Sequence, residues 1–182
     1  MMSVSLSHAT RIVACAALFT GAVDARSWDV SGPACLDAGT TTVKVTGTGF
    51  DDLKNAIVHW QKPSATGLIQ QSTEIVELSG DLRGRVLYHV ASVFDFVNGT
   101  LVNTGDQVFS GTVAGSLPVL IHDDQFQFKV NLVTGEETGR VCLFNHVAGP
   151  KVRCALDVVG TGLNAEGNPT FAYSGECTFR GE

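Results

Sequence analysis

The segment Gln125-Phe126-Gln127-Phe128-Lys129-Val130-Asn131-Leu132 alternates polar and apolar side chains without exception. Successive side chains of an extended strand point to opposite faces, so this pattern puts Phe126, Phe128, Val130 and Leu132 on one side of a sheet. Such a strand is half-buried and antiparallel, and its apolar face requires a second layer to cover it.

From Thr40 onward the rest of the chain follows suit, with strand-like runs punctuated by Gly, Asn and Asp. In Arg83 to Phe96, one face holds Val86, Tyr88, Val90, Phe94 and Phe96, and the other holds Arg85, Leu87, His89, Ala91, Val93 and Asp95. Apolar groups on both faces predict a strand covered on both sides. Further strands are expected at Thr42 to Thr48, Ile69 to Leu78, Gln107 to Ala114, Arg140 to Val147, Val152 to Val159 and Thr170 to Phe179. Turn chemistry stands between them at Val97-Asn98-Gly99-Thr100, Asn103-Thr104-Gly105-Asp106, Val133-Thr134-Gly135-Glu136 and Ala148-Gly149-Pro150-Lys151. Only Asp51 to His59 reads as a short helix, capped by Asp51 or Asp52 and closed off by Pro63 and Gly67. The expected fold is all-β, an antiparallel eight-stranded barrel, with another calycin-like barrel or a β-sandwich as the alternative. A barrel is preferred because closing the sheet protects every edge.

The amino terminus has a different character. Arg11 precedes the apolar run Ile12 to Phe19, and Val23-Asp24-Ala25 is a small-residue cleavage site. The expected organisation is a signal peptide over 1–25, an extension over 26–41 and a single β-barrel domain over 42–182, secreted or periplasmic. No later apolar run approaches the ~20 residues of a spanning helix, so no membrane association is expected of the mature chain. Of five cysteines, Cys15 falls in the leader, and Cys35, Cys142, Cys154 and Cys177 remain. An even residual number suits disulfides in an oxidising compartment, although the sequence does not choose the pairing. Cys142 and Cys154, or Cys154 and Cys177, fit adjacent strands, which leaves Cys35 to tether the amino-terminal segment. No Cys-x-x-Cys unit or other metal or cofactor motif is present, so none is expected. A net charge of −6 without a basic patch argues against nucleic acid.

The run Phe109-Ser110-Gly111-Thr112-Val113-Ala114-Gly115-Ser116 precedes a strand of alternating aromatics. After it come Val158-Val159-Gly160-Thr161-Gly162-Leu163 and a closing Tyr173-Ser174-Gly175. From about Val86 onward this pattern resembles the allene oxide cyclase-like barrel superfamily, which includes the dirigent proteins and bacterial relatives. The resemblance implies an eight-stranded barrel with an apolar interior, assembled as a homo-oligomer, a dimer or trimer. Cyclase members rearrange an unsaturated fatty-acid epoxide, and dirigent members steer the coupling of phenolic radicals. This chain shows neither full signature, and His59-Trp60 and Gln70-Gln71-Ser72-Thr73 depart from both. Similar Gly-rich turns occur in avidin-like and lipocalin-like barrels, so the resemblance carries a fold and no activity.

Candidate chemistry is sparse. His122-Asp123-Asp124 reads as a solvated hairpin turn, because Asp favours turns and neighbouring residues face opposite sides of a strand. Glu74 and Glu77 lie on opposite faces and make no glycosidase pair. Ser110 has no nucleophile elbow, and Gly47-Thr48-Gly49 has no following helix to hold a phosphate. Asn98-Gly99-Thr100 matches a glycosylation sequon and equally a plain turn. Asn145 and His146 read as structural polar groups. The expected ligand contacts are Tyr88, His89 and Asp95: one face of their strand would bring Arg85, His89 and Asp95 to the barrel mouth, and the other would make Tyr88 the interior polar handle. The function expected is a non-catalytic barrel that binds or steers a small hydrophobic or phenolic molecule. A cofactor-independent isomerase or cyclase is the alternative, and a structural envelope protein the third. An open pocket favours the first two, and a filled interior the last.

Overall fold

The computed structural model describes Cys35, Leu36 and residues 41–180. The expected leader and most of the extension lie outside the described residues. Ten strands follow in order: β1 (Thr41–Asp51), β2 (Ile57–Pro63), β3 (Gly67–Gly80), β4 (Leu82–Asp95), β5 (Thr100–Val113), β6 (Val119–Asn131), β7 (Glu137–Leu143), β8 (Asn145–Ala148), β9 (Val152–Leu163) and β10 (Pro169–Phe179). All pair antiparallel. β1 pairs with β10 along Thr41 to Phe50 and with β3 along Gly47 to Asp51, which closes the sheet. The result is the expected eight-stranded antiparallel barrel. β7 and β8 share one position beside β6, and β2 continues the line of β1 along the upper part of β3.

Several expected elements are corrected. The helix over Asp51 to His59 is instead the end of β1, one 3₁₀ turn (Leu53–Asn55) and the start of β2. Asp51 stays in register with Val76, and the Asp52 amide donates to the Ile75 carbonyl at 2.8 Å, so pairing with β3 outcompetes the helix. Asn103-Thr104-Gly105-Asp106 is not a turn but the interior of β5. Gly105 has φ 154°, and a Cβ there would sit 2.0 Å from the His89 carbonyl oxygen. The glycine thus serves close strand approach and not chain reversal. Arg140 to Val147 is broken at Phe144 into β7 and β8. β4 buries Val86, Tyr88 and Val90 inside, whereas Leu87 and Val93 on its outer face, and Phe96 beyond it, are exposed.

His122-Asp123-Asp124 is also corrected, since it lies within β6 and Asp123 is fully buried. The cause is a β-bulge: Gly105 faces Phe126 and Gln107 faces Asp123, two steps on β5 against three on β6. An extra residue reverses the alternation, so Val119, Ile121 and Asp123 share the interior with Phe126, Phe128 and Val130.

The barrel is filled at one end. Leu82, Val113, Val119 and Val152 stand beside the connections following β3, β5 and β8, and with Phe109, Ile121 and Val45 they close that end. Each such side chain contributes about 1.5–3 kcal/mol of burial. Tyr173 ties the floor across the barrel, its hydroxyl accepting from the Leu82 amide at 2.7 Å and lying 3.1 Å from the Ser79 and Leu82 carbonyls. Two disulfides resolve the pairing. Cys154 and Cys177 are direct register partners on β9 and β10, and Cys35 tethers the amino-terminal segment to Cys142 on β7. Among the described residues no helix is long and apolar enough to cross a membrane.

Candidate functional site

Above that floor the barrel is open. A cavity of about 610 Å³ extends toward the connections that follow β4, β6 and β9. Val86, Phe94, Phe128, Val141, Leu156 and Phe171 supply much of its wall. Volume and wall chemistry both fall in the range of small-molecule sites, ~300–1,000 Å³.

A polar cluster on β1, β3 and β4 interrupts this wall. Register makes Glu74 on β3 the direct partner of Tyr88 on β4, and both point inward. The Tyr88 hydroxyl lies 2.8 Å from Glu74 Oε2 and 3.0 Å from Asp51 Oδ2, and the Ser72 hydroxyl donates to Glu74 Oε1 at 2.5 Å. Gln70 Nε2 reaches Ser72 Oγ at 3.4 Å, extending the network toward the mouth. Asp51 arrives here because β1 bends away at the 3₁₀ turn as soon as its pairing with Val76 is made.

A single tyrosine proton cannot serve two ionised carboxylates, and like charges this close cannot both persist in an apolar wall. Burial, followed by the charge of Glu74, raises the Asp51 carboxyl from 3.8 to about 8. Near neutral pH the Asp51 carboxyl therefore keeps its proton. Burial likewise pushes the Tyr88 phenol up, with Asp51 and Glu74 adding to the effect. Glu137 on β7 also lines the cavity; burial raises its carboxyl, and its charge is felt at Asp51. Two buried acceptors, Asp51 Oδ1 and Asn103 Oδ1, receive no hydrogen bond from the protein.

A second buried carboxylate is structural. Asp123 accepts from Gln107 Nε2 at 2.7 Å and from the amides of Gln125 at 2.7 Å and Cys142 at 3.1 Å. It fastens the β6 bulge to β5 and to β7, and Gln107 beside it reaches the cavity surface.

Of the residues expected to contact a ligand, Tyr88 lines the cavity, whereas His89 and Asp95 do not. His89 points outward, with Nδ1 2.7 Å from Thr73 Oγ1, which stands equally close to His59 Nε2. Asp95 ends β4 and accepts from the amides of Val97 and Asn98 and from Asn98 Nδ2. Those Asn98 bonds hold its carboxyl below the usual range. Arg85 is outside, paired with Glu77 at 2.6 Å, and His146 donates to the Gly149 carbonyl at 2.7 Å. Strand parity explains all of this: with Val86, Tyr88 and Val90 inside, Arg85, His89 and Asp95 face out. Asp51, expected as a helix cap, Asn103, expected in a turn, Glu74, expected to have no partner carboxylate, and Glu137 all stand on the cavity wall instead. Only Glu74 left a usable signal, sharing parity with the apolar Val76 and Leu78.

The chain matches no protein-family model, no curated protein and no solved structure, so the chemistry of the cavity has to be read from its own residues.

Proposed function

We propose that this protein is an exported, non-catalytic barrel that holds or steers a small apolar or aromatic molecule in its interior. The observation that carries this reading is the unequal filling of one barrel. Its floor is packed by Leu82, Phe109 and Ile121, while the half above keeps a largely apolar cavity of about 610 Å³ with the Asp51, Glu74 and Tyr88 cluster on its wall. A purely structural barrel of this width gains stability by filling that space with side chains. Export is supported by the leader and by two disulfides. Likeness to the allene oxide cyclase-like barrels belongs to the same reading.

Mass spectrometry of small molecules retained by the folded protein tests it. A stoichiometric apolar compound released on unfolding is the expected result. A chain that carries nothing when isolated from its host and takes up no nonpolar fluorophore contradicts the proposal.

A second reading, a cofactor-independent isomerase or cyclase, draws on the same Asp51 and Glu74 pair. A carboxyl still protonated near neutral pH, next to a tyrosine and facing an apolar space, is equipped to donate a proton. In deuterated water this reading expects deuterium to enter the retained molecule with the native protein and not with Asp51→Asn. No incorporation leaves the binding role alone.

A further inference from the structure

We propose that the cavity selects an apolar molecule bearing a cationic amine, which docks between Asp51, Glu74 and Glu137. The inference rests on the ligand-binding reading above and specifies the chemistry of the ligand's polar end. Among the described residues the cavity wall carries these three carboxyls and no Lys, Arg or His. An anionic head group placed there would meet like charge in surroundings that screen it poorly. Cations meet the reverse situation.

Hydrogen-bond capacity points the same way. Most nearby side-chain donors are committed: the Tyr88 and Ser72 hydroxyls serve the carboxyls, Gln70 serves Ser72, and Gln107 serves Asp123. Once Asp51 is ionised, acceptors are in surplus, since Asp51 Oδ1 and Asn103 Oδ1 are buried without a donor from the protein. An ammonium group has three donors and no acceptor, the complement of this site. A carboxylate or phosphate ligand, all acceptor, fits it worst. Among the described residues the interior titratable groups are Asp51 from β1, Glu74 from β3, Tyr88 from β4, Asp123 from β6, Glu137 from β7 and Tyr173 from β10. β9 contributes only apolar residues and glycine to the wall. An arriving ammonium takes the place of the proton held by Asp51, and that proton leaves to solvent. Amine binding is therefore proton-linked, and affinity rises by up to about tenfold per pH unit as the pH climbs toward 8.

Displacement of a nonpolar fluorophore by n-octylamine, n-octanol and n-octanoate, which share one chain and differ in head group, provides the test. At pH 7.5 octylamine is expected to bind at least tenfold tighter than octanol, and octanoate to displace nothing. Calorimetry in two buffers of different ionisation enthalpy should show about one proton released per octylamine bound. Glu74→Gln and Asp51→Asn should abolish the preference while octanol still binds, which reports an intact barrel. If either variant fails to fold, the native head-group series and the proton release decide. Equal binding of all three ligands overturns amine selection and leaves the ligand-binding reading standing. Failure of all three, and of the fluorophore, removes both.

Discussion

Glu74 and Tyr88 are direct cross-strand partners, and their side chains meet inside the barrel at 2.8 Å. Neither could be placed there by the other strands' patterns alone. The β3 to β4 register sets the pairing, and the closure of β1 onto β3 then delivers Asp51 to the same hydroxyl.

Replacing Tyr88 by Phe removes only that hydroxyl. Glu74 and Asp51 lose a buried donor, so the domain should be destabilised by about 1–3 kcal/mol in urea unfolding. Ligand affinity should change as well, because the polar end of the cavity is rearranged. Unaltered stability and unaltered binding would show that the hydroxyl contributes nothing to the cluster.

The Asp51 carboxyl makes stability fall as pH rises. Its folded-state value, about 8, lies above the 3.8 of an unperturbed aspartate, so the folded state retains a proton that the unfolded chain releases. The stabilisation is complete below about pH 4 and is lost progressively up to about pH 8, by at most about 1.4 kcal/mol per pH unit. Asp51→Asn should therefore gain stability relative to the native chain between pH 5 and pH 8, a window in which thermal melting of both proteins checks the sign. A constant difference across that window contradicts the raised Asp51 carboxyl.

Phe126 and Phe128 alternate onto one face but sit at different depths. Phe126 is fully buried against Tyr88, with ring centroids 5.6 Å apart, whereas Phe128 is half-buried on the cavity wall. Phe126→Ala should cost about 3–5 kcal/mol. Phe128→Ala enlarges a space that already exists and should cost less than half as much, a ranking that chemical denaturation resolves directly.

The Cys35 to Cys142 bond spans a sequence separation of 107, and the Cys154 to Cys177 bond one of 23. Removing the first as a double Ala variant should cost about 2–5 kcal/mol, because the long loop it closes restrains the unfolded chain most. Thiol titration of the unreduced, unfolded mature protein should find these cysteines unreactive. Four reactive groups would refute both bonds.

Much of the barrel was legible because alternation is a local signal. The strands around Phe126 and Tyr88 declared their buried faces within a few residues. What stayed hidden depends on partners far along the chain. Asn103 to Asp106 has the composition of a turn, and only the neighbouring His89 carbonyl explains why Gly105 belongs in a strand. Asp123 looked solvated because the bulge that turns it inward is defined by the register of β5. Asp51 resembled a helix cap, and nothing near it in sequence reveals Tyr88, which lies 37 positions away. The fold could thus be read from periodicity, while the site arises from closure.

The central claim is an interior that admits a small molecule, and a cavity-filling variant tests it most directly. Leu156 lines the cavity from β9, and Leu156→Trp places a larger side chain into that space. Titration with a nonpolar fluorophore should give saturable binding of one molecule per native chain at about micromolar Kd, weakened at least tenfold in the variant, with thermal melting of both proteins confirming that they fold. Equal binding by the two folded proteins, or no binding by the native chain, would contradict the account.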